Sequence, residues 1–138
     1  MSRSHVRAVG VSLLVTLAAC ANPSAKLAPG AADFGSVSTN KPPQCIPPHQ
    51  KDLTFQLTVD APRAPVAWSY VMTPGDFIWG IDTLMPNPFP QGKSTYTVSI
   101  QFAPLSTGDQ TAFASIWLAD PTATSTIIAL KGRGTCDL

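Results

Sequence analysis

The chain has 138 residues, with 9 Lys or Arg against 8 Asp and no Glu, so its formal net charge at pH 7 is only +1. This balance excludes the clustered basic surface that phosphate recognition requires, and we expect no nucleic-acid partner. The 14 prolines, together with abundant Thr, Ser, Val and Ile, disfavour helices and favour extended segments joined by many turns.

An apolar run near the N-terminus predicts export from the cytoplasm. Arg3 and Arg7 precede an uncharged segment over 8–19, and the run ends in the tetrapeptide LAAC at 17–20. A cationic start, a short apolar segment and small residues at the cleavage point are typical of a secretory signal peptide. The tetrapeptide resembles the bacterial lipoprotein box. That resemblance implies cleavage just before Cys20 and attachment of acyl chains, including palmitate, to this cysteine.

Two alternatives to a lipid anchor stay open at this terminus: an ordinary signal peptide with a chance cysteine, and an uncleaved membrane helix. The apolar run is shorter than the roughly 20 residues that a spanning helix needs, which disfavours the helix. Ala21 stands where a retention aspartate would otherwise follow the lipidated cysteine. This resemblance to Gram-negative lipoproteins implies the outer membrane, so we expect a cell-envelope protein whose membrane contact is the lipid on Cys20.

The residues after the signal are expected to divide into a tether and one domain. The segment after Cys20 is rich in Ala, Pro and Ser, a composition typical of flexible linkers. The rest of the chain provides about a hundred residues, the length of one domain. The expected organisation is a signal peptide over 1–19, a lipidated N-terminus and flexible tether over 20–32, and a folded domain over 33–138.

Strict alternation of apolar and polar residues predicts two long strands. In 53–60 (LTFQLTVD) the apolar side chains fall on one face, and 95–102 (TYTVSIQF) repeats the pattern. The absence of a sustained helical period and a count of about seven antiparallel strands predict an all-β fold, specifically an immunoglobulin-like β-sandwich. The shorter extended segments, bounded by Pro, Gly, Asn or Asp, are expected at 34–37, 66–72, 77–81, 111–119 and 125–131.

The strand expected over 111–119 has two possible facings. We predict that its even-numbered residues from Ala112 to Leu118 point into the core, which turns Phe113 and Trp117 outward. The opposite facing exchanges the two sets, because a shift of one residue reverses every side chain of a strand.

A series of spaced motifs runs through the predicted strands. These motifs are DFGSV at 33–37, PQG at 90–92, FAP at 102–104, Gly108, AFASI at 112–116 and IALKGRG at 128–134. Together they resemble the ASH/Hydin-like immunoglobulin-fold domains found in exported bacterial choice-of-anchor proteins. The chain departs from the family at 60–65, where the usual Asn-x-Gly turn is missing, and at the proline-rich insert 41–48. The resemblance implies a structural or interaction module without catalysis of its own.

Three cysteines are present in a chain that we expect outside the cytoplasm. If Cys20 carries the lipid, Cys45 and Cys136 are left as a pair, and a disulfide is the simplest interpretation. Closing a loop of 91 positions would stabilise the fold by on the order of 4–5 kcal/mol in the chain-entropy model. Two free thiols are the alternative. A metal site is disfavoured because no CxxC and no nearby histidine completes one, and we expect neither a metal nor a cofactor.

Residues suited to catalysis are few. His49 is the one histidine that follows the signal peptide, and it lies in a proline-rich connection without a G-x-S-x-G element to supply a nucleophile. Asp76 and Asp82 flank an apolar segment, where turn and strand-end roles account for them without acid–base chemistry. We therefore expect a protein that is not an enzyme.

Aromatic side chains give the strongest indication of a binding surface. Because they are numerous for a core between two sheets, those left on a solvent face would form an adhesive patch. The rings of 68 and 70 share one strand face and those of 77 and 79 share another, so they form a platform if the two strands are neighbours. The alternative places most of the rings in the core. The candidate surface comprises Trp68, Tyr70, Phe77, Trp79, Phe113 and Trp117.

Two functions follow from these observations. The first is a membrane-anchored lipoprotein whose immunoglobulin-like domain is a structural module or binds an envelope protein of unknown identity, through a sheet edge or the end loops. The second is a carbohydrate-binding envelope module that stacks its aromatic rings on a glycan. Tryptophan fluorescence during a glycan titration distinguishes the two functions.

Overall fold

A computed structural model describes residues 21–39, 45–73, 75–80 and 85–136. The predicted signal peptide, the lipidation at Cys20 and Asp82 lie outside these ranges. Inside them the chain forms nine strands: β1 (Ser24–Ala28), β2 (Ala31–Ser38), β3 (Lys51–Ala61), β4 (Trp68–Met72), β5 (Phe77–Gly80), β6 (Gly92–Phe102), β7 (Gly108–Leu118), β8 (Thr124–Ser125) and β9 (Ile127–Thr135). No helix long and apolar enough to cross a membrane is found in the same ranges.

The strands form two sheets, which confirms the predicted all-β sandwich. One sheet has the order β5-β6-β3-β1-β8 and the other the order β2-β9-β7-β4. Most neighbours are antiparallel, as predicted, but β1 pairs with β8 and β2 pairs with β9 in parallel. Two strands exceed the expected count of about seven: β1 lies in the segment expected as a tether, and the two-residue β8 precedes β9 where one strand was expected.

The core lies between the inner faces of the two sheets. The predicted alternation is confirmed in β3 and β6, which pair along their full length from Lys51–Phe102 to Ala61–Gly92. Gly132 of β9 is buried against the ring of Phe102, where a Cβ atom would lie 2.5 Å from that ring. The largest fully buried side chains are Phe34, Phe55, Phe89, Phe102, Leu27, Leu57, Ile100, Ile116, Ile128 and Leu130.

The expected flexible tether over 20–32 was wrong for most of its length. Ser24–Ala28 is a strand that pairs with β3, and its Ala25 and Leu27 side chains are buried in the core. The composition of this segment is typical of a linker, but SAKLA contains a short alternation of apolar and polar residues. Its two apolar side chains are enough to hold the segment as a strand, because β3 supplies the hydrogen-bonding edge. The domain therefore begins by Ser24 and not at 33.

The disulfide between Cys45 and Cys136 is present, with Cα atoms 4.9 Å apart. It forms because β2 and β9 run parallel at one edge of their sheet, so the segments that follow them emerge at the same end. The covalent link holds the segment that leads into β3 against the end of β9.

Candidate binding surface

The four rings expected to form one platform lie on different parts of the molecule. β4 belongs to the four-stranded sheet and β5 to the five-stranded sheet, so the two strands are not neighbours. The expectation was wrong because the chain crosses from one sheet to the other between Met72 and Phe77. Strand pairing of this kind depends on long-range contacts that local alternation does not encode.

Phe77 is a core residue. Its ring is buried, stacks on Phe102 at a centroid distance of 4.7 Å and meets the edge of Phe34 at 5.3 Å. It is therefore removed from the candidate surface.

Trp68 holds a connection in place. Its ring stacks on Phe89 at 5.3 Å, and its indole Nε1 donates a hydrogen bond of 2.7 Å to the carbonyl of Pro86. The Asn87 side chain occupies the outer edge of β4, where it accepts from the Trp68 backbone N–H and donates to the Trp68 carbonyl. These contacts give Trp68 a structural role, because they fix the segment over 86–89 against β4. On this edge of β4 the Asn87 amide makes the hydrogen bonds that a neighbouring strand would otherwise make.

Tyr70 and Trp79 meet where the edges of the two sheets face each other. Their ring centroids are 6.1 Å apart in an edge-on arrangement, Tyr70 is 54% exposed and Trp79 is half-buried. Trp79 is therefore only partly available to a ligand, and Tyr70 is an exposed ring at the edge of the sandwich, away from Phe113 and Trp117.

Phe113 and Trp117 lie together on the outer face of the four-stranded sheet, as predicted. Their side chains are 55% and 57% exposed, and the even-numbered residues from Ala112 to Leu118 are buried. The register adds two residues that the sequence analysis missed, because Ser115 of β7 lies between Val71 of β4 and Ile127 of β9. Val71 is 44% and Ile127 63% exposed. We call Val71, Phe113, Trp117 and Ile127 the apolar patch.

A small residue at the centre shapes the apolar patch. Ser115 is buried by its neighbours, and its hydroxyl donates a hydrogen bond of 3.2 Å to the carbonyl of Thr126. The two rings that flank it are four residues apart on one strand, a separation of roughly 13 Å. Next to Phe113, the small side chains Ala31 and Ala129 lie in an open depression of about 600 Å³.

The same face continues into a charged region that we call the ionic end, made of Asp33, Asp109, Lys131 and Arg133. Lys131 Nζ lies 3.5 Å from Asp33 Oδ2, and Arg133 Nη1 lies 3.6 Å from Asp109 Oδ1. All four side chains are well exposed, so these pairs add little to folding stability and are free to meet charges on a partner.

Asp33 is fixed by a local turn. Gly35, in the left-handed region at φ 69°, forms a bulge in β2 and donates its N–H to Asp33 Oδ1 at 2.8 Å. That hydrogen bond, assisted by the nearby Lys131 ammonium, holds the pKa of the Asp33 carboxyl below its ordinary value. Asp33 therefore stays ionised through the physiological pH range.

The residues considered for catalysis have other environments. Asp76 Oδ2 accepts hydrogen bonds from the Leu105 backbone N–H at 2.9 Å and from Gln110 Nε2 at 2.8 Å, which ties β5 to the connection between β6 and β7. His49 is half-buried beside the disulfide segment, and its Nδ1 has no hydrogen-bond partner in the part of the chain that the structure describes. Within that part, no group of three or more His, Cys, Asp or Glu side chains is placed to hold a metal ion.

Sequence comparisons return no relative of this chain: no protein-family model matches it, and no curated protein matches it. Its fold, in contrast, is shared with solved structures. It is similar to the ASH / PapD-like domain 7 of human CEP192, with a TM-score of 0.52, 13% identity, and coverage of 83% of this chain and 87% of that domain. It is also similar to the periplasmic chaperone SfaE, with a TM-score of 0.50, 13% identity, and coverage of 80% and 57%.

A third solved structure matches over a small part of a much larger protein. The chain aligns with a GH5 xyloglucanase from Bacteroides ovatus with a TM-score of 0.48 and 16% identity, covering 80% of this chain but only 19% of that enzyme. The first two likenesses define the class: the protein is an immunoglobulin-like β-sandwich with the fold of ASH and PapD-like domains, in agreement with the family resemblance of its sequence motifs.

Proposed function

We propose that this protein is a lipid-anchored envelope protein whose single sandwich domain binds another protein through the apolar patch, without catalysis of its own. One observation carries the binding part: four large apolar side chains are exposed side by side across three strands of one sheet face. Clustered apolar exposure of this kind is typical of interaction sites, whereas scattered apolar residues are ordinary.

The composition of the face favours a protein partner over a glycan. Trp and Phe at the centre with Arg near the rim match the residue types that dominate protein interfaces. Between the two rings the positions are the apolar Val71 and Ile127 and a serine whose hydroxyl is already bonded to Thr126. Exposed hydroxyl groups lie at the margins of the patch, such as Ser69 opposite Trp117, so a glycan on the centre of the patch would meet mainly apolar side chains.

The lipid anchor is supported by the LAAC tetrapeptide, and the early start of the fold limits how far such an anchor lies from the domain. β1 begins at Ser24, Pro23 is buried, and the Pro23 carbonyl accepts a hydrogen bond from the Thr124 N–H. Even fully extended, the four Cα–Cα steps from Cys20 to Ser24 span only roughly 14 Å. An acylated Cys20 would therefore hold this end of the sandwich close to the membrane, in the outer membrane by the identity of Ala21.

Membrane partitioning tests the anchor. In cells that process lipoproteins, the full chain should enter the detergent phase of a phase separation, and Cys20→Ser should remain in the aqueous phase or keep its leader. The double variant Cys45→Ser, Cys136→Ser is the matched control and should partition as the wild type does. An unmodified wild-type chain that stays in buffer would contradict the anchor.

A further inference from the structure

The outer face of the four-stranded sheet is complementary to itself. β7 and β9 lie side by side in antiparallel register, and directly opposed residues of the two strands point to the same face. On the outer face each opposed pair combines a large with a small side chain, or a positive with a negative or neutral one. The pairs are Ser115 with Ile127, Phe113 with Ala129, Thr111 with Lys131 and Asp109 with Arg133.

We propose that a second copy of this chain covers this face, related by a two-fold axis that runs along the strands between β7 and β9. Such an axis exchanges the two strands, so each residue meets the other member of its own pair. Phe113 then lies over the partner's Ala129, and Arg133 lies over the partner's Asp109. Large side chains fill the spaces that small ones leave, and opposite charges meet.

Charge selects this axis over its neighbours. An axis along the strands but centred on β9 would place Lys131 and Arg133 against their own copies, and like charges across an interface are repulsive. An axis across the strands at the middle of the four pairs would lay the apolar patch on the ionic end, and one centred on Ser115 would leave the ionic end uncovered. The axis between β7 and β9 brings apolar residues to apolar residues and opposite charges together.

Trp117 extends the contact toward the end of the strands. It lies one outward position beyond the last β7–β9 pair, Ser115 with Ile127, and together with Ile127 and Ala123 it lines a depression of about 310 Å³. A second copy over the β7–β9 face would meet Trp117 at the rim of the contact.

The same axis suits two anchors in one membrane, and this second argument rests on the proposed function. Because the axis runs along the strands, the Ser24 ends of both copies point in one direction, whereas an axis across the strands would point them apart. With tethers of roughly 14 Å at most, both acylated cysteines then reach a single bilayer.

The size of the face indicates a weak pair in free solution. Three strands and four residue pairs cover roughly 14 Å by 20 Å, which is well below the ~800 Å² per partner of a standard stable interface. Confinement in one membrane raises the effective concentration and favours the pair. The protein in its native envelope is therefore the correct sample for the test.

Site-specific cross-linking tests the inference on the full chain. Thr111→Cys places a thiol beside the axis, about 10 Å from its copy across two packed sheets, within reach of a short bis-maleimide. Thr54→Cys is the matched control, because Thr54 is equally a threonine exposed on a strand, but on the outer face of the other sheet. We expect an adduct of twice the chain mass from Thr111→Cys and none from Thr54→Cys or the wild type.

Charge reversal in the Thr111→Cys background tests whether Asp109 of one copy meets Arg133 of the other. Asp109→Arg alone and Arg133→Asp alone should each lower the yield of the adduct severalfold, and the two together should restore it. An adduct between Thr111→Cys and a different protein would overturn the second copy and leave the proposed function standing. Equal dimer from Thr111→Cys and Thr54→Cys, or no adduct from either in correctly folded protein, would also overturn it.

Discussion

Replacement of Trp117 by Ala should weaken partner binding more than it weakens the fold. A fully accessible indole exposes roughly 200–250 Å², and 57% of the Trp117 side chain remains exposed, which leaves on the order of 130 Å² for a partner to cover. At ~25 cal/mol per Å² this area is worth about 3 kcal/mol, or roughly a hundredfold in the dissociation constant. At the same coefficient the buried part of the ring, roughly 95 Å², is worth about 2 kcal/mol of folding stability, so the fold should be weakened less than partner binding.

Tyr70→Ala is the matched control for this prediction. Tyr70 is 54% exposed, nearly the same as Trp117, but it lies at the sheet edge outside the apolar patch. The assay is the yield of cross-linked complex in intact envelopes, with urea unfolding of each purified variant measured in parallel. Trp117→Ala should lose the complex and Tyr70→Ala should keep it. Equal yields from the two variants, at equal stability, would refute the assignment of the apolar patch as the binding surface.

Three further predictions concern the fold around this surface. Cys45→Ser with Cys136→Ser should lower the free energy of unfolding by up to about 4 kcal/mol, since the link closes a 91-residue separation; an unchanged urea midpoint would contradict this. Asn87→Ala should lower the free energy of unfolding by about 1–2 kcal/mol, and with it the melting temperature, because both hydrogen bonds to the Trp68 backbone are lost. Gln91→Ala is the control and should have little effect, because the contact of Gln91 with the Pro62 carbonyl is long at 3.4 Å. The hydroxyl and N–H of Thr122 lower the pKa of the Asp120 carboxyl in the folded protein. The contribution of ionised Asp120 to folding stability should therefore be present above the ordinary pKa of 3.8 and be lost as the pH falls through the lower folded pKa. Asp120→Asn should flatten the melting temperature as a function of pH in this acidic range, and wild-type and variant curves that run parallel there would exclude the effect.

The long strands, and the outward direction of Phe113 and Trp117 on β7, can be predicted from the sequence alone. In β3 and β6 an eight-residue alternation leaves a single choice of buried face, and the structure confirms it. The outward facing of Phe113 and Trp117 was also predictable, because it is the choice that buries Ile116 and Leu118 on the same strand. These inferences need only the period of a strand.

The remaining features depend on contacts between distant parts of the chain. β1 has only two inward apolar residues, so its composition resembles a linker until β3 is beside it. Val71 and Ile127 join the apolar patch through the register of β7 with both of its neighbours, which no local pattern specifies. Trp68 is held by an amide nineteen positions away, and this contact is what separates it from the exposed rings.

Footprinting of aromatic side chains in the native envelope tests whether a partner covers the apolar patch. Hydroxyl-radical labelling should modify Phe113, Trp117 and Tyr70 to similar extents in dilute, detergent-extracted protein, because all three are more than half exposed. In the intact envelope we expect strong protection of Phe113 and Trp117, while Tyr70 stays reactive. Equal labelling of all three rings in both samples would show that nothing covers the apolar patch and would refute its role as a binding surface.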